Sequence, residues 1–212
     1  MPKAKSNRPR RDAQRTKALI LAAAAAEFSS RGYSNAFVDS IAARTHVNKR
    51  MIYYYFGSKR QLYVAVLKNE YKQIREAEQN LDLDHLPPVE ALRQYIESAF
   101  NYYRSNEQFV HLVNLENVMK GRHISSSKSF QALNSPIIAT LHRILKRGVA
   151  EKVFRAGIEP IELHETISAL GFFYISNRYT FGAVFSHDMT SSRAFEHRKK
   201  VIVDTVLSYV CR

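Results

Sequence analysis

An all-α fold follows from three features of the sequence. Apolar residues recur at helical spacing in segment after segment, whereas hairpin dipeptides and alternating apolar-polar runs are scarce. Gly32, Gly121, Gly157, Pro136 and Pro160 stand where such segments stop or start. The 212 residues, 45% hydrophobic and 24% charged, suffice for one large domain or two small ones around a real apolar core.

About nine helices are expected. Residues 1–10 are polar and basic with two prolines, which suits a flexible arm. A first helix is expected from Asp12 to Ser30, carrying Ile20, Leu21, Ala24 and Phe28 at helical spacing and ending at Gly32. Two short helices follow, Val38–Thr45 and Lys49–Phe56, separated only by His46, Val47 and Asn48. Ser58 is a good N-cap for a longer helix toward Asn80, with Leu62, Tyr63, Val66, Leu67, Tyr71 and Ile74 on one stripe. Past the loop around Pro87 and Pro88, Val89–Ser105 and Gln108–Lys120 read as two more helices. Ser135 and Pro136 look like an N-cap and first-turn proline opening a helix to Phe154. The next helix, Pro160–Phe185, is apolar on nearly every side and so is expected to be buried all round, which implies subunit contact. The last, Ser192–Tyr209, carries Phe195, Ile202, Val206 and Tyr209 on one side; the final two helices would supply half of a dimeric four-helix bundle. The expected domains are the arm at 1–11, a first domain at 12–60 and a second at 61–212.

Charge is the first guide to function. The chain holds 32 Lys and Arg against 19 Asp and Glu, a net charge of +13. Residues 1–60 contribute thirteen basic and three acidic side chains, so the excess is concentrated rather than spread. A local basic excess suits a docking face for a polyanion. A single cysteine excludes an internal disulfide framework and a cysteine-based zinc site. The basic N-terminus before the alanine run resembles a secretory signal only superficially, because Asp12 interrupts it and the run continues as a helix. No stretch is long and apolar enough for a membrane span, so a cytoplasmic protein is expected. A Gly-rich phosphate loop, a nucleophile elbow and a credible Cys–His pair are all missing, which argues against an enzyme.

Two short helices joined by a three-residue turn inside the most basic segment have the form of a helix-turn-helix. Ile41, Ala42, Val47 and Ile52 supply its inner contacts. Lys49, Arg50, Met51, Tyr53, Tyr54 and Tyr55 are then divided between the core and an outer face able to reach phosphates and base edges. With Val38 and Asn48 they make up the candidate DNA-binding set.

The run Ile20-Leu21 to Phe28, Arg31-Gly32-Tyr33, Ile41-Ala42, Val47, Ile52-Tyr53-Tyr54-Tyr55-Phe56, Ser58-Lys59 and Leu62 resembles the DNA-binding domain of the TetR family of bacterial regulators over residues 12–67. The resemblance implies that the second short helix enters the major groove with Lys49, Arg50 and Tyr54 nearest the bases. Tyr53, Tyr55 and Lys59 would then hold phosphates. Two departures stand out. The family's usual Ala-Gly before the turn valine is Thr45-His46 here, and its usual Thr or Ser cap on the first short helix is Ala36-Phe37, so that Asn35 or Ser34 is expected to cap instead. Lys3, Lys5, Arg8, Arg10 and Arg11 of the arm would follow DNA or remain a solvated tail.

The second half is expected to bind a small-molecule effector. Tyr103, His111, Asn114, Asn117, Tyr174, Asn177 and Arg178 place polar or aromatic groups in apolar helices, where burial is costly without a partner. An anionic effector meeting Arg178 would supply one; a glutamate across a dimer would equally do so. None of the eight histidines has the spacing that puts two ligands on one helix face, so no metal and no cofactor are expected. Together these readings describe a homodimeric repressor on a palindromic double-stranded operator. An activator, a ligand-independent DNA binder, and a helical small-molecule-binding protein or enzyme are the alternatives.

Overall fold

A computed structural model describes residues 8–125 and 127–212. Among them the chain forms nine helices: α1 (Arg8–Asn35), α2 (Val38–Thr45), α3 (Lys49–Phe56), α4 (Lys59–Gln79), α5 (Pro88–Ser105), α6 (Glu107–Val118), α7 (Lys128–Ala150), α8 (Pro160–Phe185) and α9 (Ser192–Val210). They gather into two compact units, Met1–Glu70 with His111–Ser126 and Tyr71–Val110 with Ser127–Arg212. No described helix is long and apolar enough to cross a membrane.

Helix α1 starts at Arg8, earlier than the expected Asp12, and breaks at Gly32, whose φ of 74° is open to glycine at little cost. Lys3 and Lys5 of the basic arm lie outside the described residues. In the first unit Ile20, Ala24 and Phe28 of α1, Val38 and Ile41 of α2, Ile52 of α3 and Leu62, Tyr63 and Val66 of α4 are buried, so each short helix is held by deep aliphatic contacts. Ser58 caps the start of α4, with the Gln61 N–H donating to Ser58 Oγ at 3.2 Å.

In the second unit α5 packs against α7, α8 and α9, and α8 also packs against α7 and α9. Leu92, Tyr95, Ile96 and Phe100 of α5 meet this core with Leu141, Ile144, Leu163, Ile167 and Val206, all buried. Helix α7 corrects the sequence reading: it begins at Lys128, and Pro136 lies inside it. Proline lacks the N–H that would satisfy the Ala132 carbonyl. The Ser135 hydroxyl donates to that carbonyl at 3.1 Å, which keeps the acceptor satisfied and lets the helix continue. Past α7, Phe154 pairs with Cys211 as an isolated bridge. Its ring occupies the space where a side chain on Gly148 would stand.

Candidate nucleic-acid interface

The interface is built on α3, and two caps fix that helix in place. At its N-terminus Asn48 is extended and its Oδ1 accepts the Met51 N–H at 2.8 Å. The preceding residue but one, His46, ends α2 with φ 54° and ψ 22°, the left-handed conformation in which the family usually places glycine. Ile52 is fully buried, which turns Arg50 and Tyr54 outward; Tyr54 is 77% exposed. Tyr53 is exposed, while Met51 and Tyr55 are half-buried. The Tyr54 and Tyr55 rings meet edge-on at 5.4 Å, and Lys17 of α1 lies 5.5 Å from the centre of the Tyr55 ring.

Two basic candidates already have partners. Lys49 Nζ donates to Asp39 Oδ2 of α2 at 2.8 Å, a hydrogen bond that raises its pKa. Lys59 donates to the Ser34 carbonyl at 3.1 Å and lies 5.2 Å from the centre of the Tyr33 ring. An ammonium has three donors, so each lysine retains N–H groups for a phosphate. Two other candidates take supporting positions. Val38 is 6% exposed, so its side chain anchors α2 in the core and has no surface to offer DNA. Asn48 spends its amide oxygen on the α3 cap.

Helix α2 is not capped by Asn35 or Ser34. Its N-cap is Phe37, which has no side-chain oxygen to offer, and the Phe37 N–H instead donates to Glu27 Oε1 of α1 at 3.2 Å. Glu27 is 1% exposed and is held by Arg31 at 3.3 Å and by Arg44 at 3.7 Å. A carboxylate at this end also meets the favourable pole of the α2 dipole. The sequence offered only the Glu27–Arg31 spacing on one helix face, which usually marks a solvated pair.

A second buried carboxylate in this unit, Glu116, accepts the His123 backbone N–H at 2.7 Å and lies 2.9 Å from its Nδ1. The His123 ring packs at 4.8 Å and 5.0 Å on Tyr33 and Tyr63, and burial beside Glu116 pushes the Tyr63 hydroxyl well above its ordinary pKa.

The expected effector residues do not form one constellation within either unit. His111, Asn114 and Asn117 belong to the first unit, where His111 and Asn117 are exposed and need no ligand to satisfy them. Tyr103, Tyr174, Asn177 and Arg178 belong to the second. Tyr103 is buried with its ring stacked on Phe109 at 6.2 Å, and Tyr174 packs on Phe195 at 5.8 Å. Asn177 donates to the Phe173 carbonyl at 3.1 Å. Arg178 is buried but fully engaged, by Glu107 Oε2 at 2.5 Å, by the Ile175 carbonyl and by the Tyr179 hydroxyl at 3.0 Å. It therefore has a carboxylate partner in its own chain and leaves little call for an anionic effector there.

The sequence reading missed a different buried cluster in the second unit. Arg75 and Glu78 of α4 lie inside, 5% and 7% exposed, with NH1 and Oε2 2.9 Å apart. Nearby, the Tyr95 hydroxyl and His164 Nδ1 are 3.0 Å apart. Burial pushes the Glu78 carboxyl up to about 7, against the pull of Arg75 and of a hydrogen bond to Tyr95. Burial, assisted by the Arg75 charge, pushes His164 down to about 4. Among the described residues no three His, Cys, Asp or Glu side chains converge as metal ligands.

The geometry of α1 to α4 agrees with the comparisons. Residues 20–66 match the family model for bacterial regulatory proteins of the tetR family, and residues 88–206 match that for the tetracyclin repressor-like C-terminal domain. The chain is 35% identical over 182 residues to the HTH-type transcriptional repressor NicS of Pseudomonas putida, covering 86% of each. The fold is that of the putative transcriptional regulator SCO4942 from Streptomyces coelicolor (TM-score 0.69, 22% identity, 92% of this chain and 98% of that one). It is likewise that of the ketosteroid transcriptional regulator KstR2 of Mycobacterium tuberculosis (TM-score 0.68, 16% identity, 92% and 95%). With its helix-turn-helix, its helical second unit and these matches along most of its length, the chain belongs to the TetR family of transcriptional regulators.

Proposed function

We propose that this protein is a homodimeric transcriptional repressor that binds a palindromic DNA operator through α3 of each subunit and is released by a small-molecule effector. The observation that carries the reading is α3 itself: a helix capped at its start, anchored by Ile52, with Arg50 and Tyr54 facing outward in the most basic part of the chain. Arg50 has the fork geometry to read guanine, and Tyr54 stands beside it for base edges. Tyr53, Tyr55, Lys49 and Lys59 hold phosphates, which position the helix without specifying sequence. Met51 stands half-buried beside them, and Val38 and Asn48 support the motif from within.

Dimerisation falls to α8 and α9. Phe173, Tyr179, Val184 and Phe185 of α8 and Tyr209 of α9 are exposed in the single chain, large apolar side chains that a second subunit would cover. Within the subunit α8 is therefore not buried all round, which corrects the sequence reading. A two-fold axis there gives two α3 helices and hence two half-sites. Repression is supported by the likeness to NicS, and such a regulator works on chromosomal DNA in the cytoplasm. An effector acts only through its different affinity for the DNA-bound and released states.

Selection of genomic fragments by the purified protein, with a salt titration on the recovered sequences, tests the reading. One palindromic sequence is expected. Salt-sensitive binding without sequence preference would replace the repressor by a general DNA binder.

A further inference from the structure

The second unit holds a charged group that its own fold leaves unsatisfied. Arg75 is 5% exposed, yet its Nε and NH1 have no hydrogen-bond acceptor, and Glu78 Oε2 is likewise without a donor although NH1 is 2.9 Å away. The pair is close but misaligned, which is costly in a buried setting. Beside it lies a small void of about 20 Å³ lined by Arg75, Glu78, Gln79, Pro136, Ile137 and Thr140. An open cleft of about 420 Å³ shares Glu78, Gln79 and Thr140 with it as lining residues. Its outer wall, the segment before α5, is held by the Arg147 guanidinium, which donates to the carbonyls of Leu83 at 3.3 Å and Leu86 at 2.8 Å. Pro136, on the other wall, is the point at which α7 lacks a main-chain hydrogen bond.

We infer that this cleft admits a small organic carboxylate, which pairs with the unused N–H groups of Arg75 while Glu78 gives up its place beside the guanidinium and takes a proton from solvent. The charge count requires the proton. Arg75 and ionised Glu78 are together neutral, so a second buried carboxylate would leave one negative charge uncompensated. The groups facing Glu78 do not change that count: Tyr95 and Tyr103 of α5 are neutral phenols with raised pKa values, and His164 of α8 is neutral above about pH 4. At the mouth, Arg143 of α7 is paired with Asp84 at 3.5 Å, with exposed Asp82 nearby. Glu78 itself titrates near neutrality, so the proton is taken up readily. A guanidinium with free N–H groups selects a carboxylate over its neutral amide, because only the former offers two charged acceptors to the fork.

As the effector site of the regulator proposed above, this inference rests on that reading, but the binding itself is tested without DNA. The full-length protein is titrated with benzoate, phenylacetate and butyrate, and with the three corresponding amides, by thermal shift and calorimetry from pH 6 to pH 8.5. At least one acid is expected to raise the Tm where its amide does not, with affinity falling toward about tenfold per pH unit above pH 7, the limit for one linked proton. E78Q, which mimics the protonated side chain, is expected to bind that acid at pH 8 as tightly as the parent does at pH 6, without pH dependence. R75M is expected to lose the response; if it does not fold, E78Q decides alone. No acid bound in preference to its amide, or weaker binding by E78Q at pH 8, overturns the site. Binding of an acid that leaves operator affinity unchanged keeps the site and overturns its regulatory role.

Discussion

Glu27 and Phe37 are joined by a hydrogen bond from the Phe37 backbone N–H to Glu27 Oε1 at 3.2 Å, and through it the first helix of the DNA-binding unit caps the second. Because α2 packs on α1 and α3 on α2, the orientation of the outward face of α3 depends on this contact. The Glu27→Ala substitution removes the acceptor and is expected to cost about 1 kcal/mol of stability, read by urea denaturation, together with weaker operator binding. Adding Phe37→Thr, which supplies a local cap, is expected to restore much of both. Unaltered DNA affinity in Glu27→Ala would show that the cap does not position α3.

Arg50 is exposed on the outer face of α3, free of the partner that Lys49 has in Asp39. Arg50→Ala is expected to weaken operator binding by about 1–3 kcal/mol and to relax preference at one base pair of each half-site. Repeating the fragment selection with the variant checks this. A uniform loss across sequences would assign Arg50 to phosphate instead.

Exposed Val184 and Phe185 lie at the end of α8 on the surface assigned to the second subunit. Replacing both by aspartate puts charges into an apolar contact, so sedimentation analysis is expected to show monomer at concentrations where the parent is dimeric. Specific DNA binding should fall with it, while the helical content is retained.

Gly148 has no side chain because Phe154 fills its space: a Cβ there would stand 1.9 Å from the Phe154 ring. That ring is fully buried and cannot swing aside cheaply. Gly148→Ala is therefore expected to destabilise the protein by about 1–3 kcal/mol, despite the better helix propensity of alanine. A thermal melt at or above the parent's would refute the close packing.

Stability should respond to pH through the buried cluster in two opposed windows. Glu78, raised from 4.5 to about 7, binds its proton more tightly when folded, so it removes stability as pH rises from about 4.5 through 7. His164, lowered from 6.5 to about 4, binds its proton less tightly when folded and adds stability as pH rises from about 4 to 6.5. The two largely offset each other below pH 6.5, leaving a decline above it that E78Q is expected to abolish. Denaturation midpoints from pH 5 to pH 8.5 measure both.

Much of the architecture could be read along the chain. Ile41, Ile52 and Phe28 betray the helices because burying one stripe of a helix imposes a spacing of three and four residues whatever it packs against. The bounds of α2, α3 and α8, the left-handed turn at His46 and the Ser58 cap are local in the same sense. The outward face of α3, with Arg50 and Tyr54 exposed, follows from that spacing too, whereas the inward turn of Val38 depends on the helix beneath it. Partners distant in sequence were not legible. Glu27 with Arg44, Arg178 with Glu107, and Glu78 with Tyr95 are polar groups whose meaning depends on which helices become neighbours. The periodicity of one helix carries no record of what faces it. A polar side chain in an apolar helix therefore advertises that it needs a partner, and the packing of the other helices determines whether the chain supplies it.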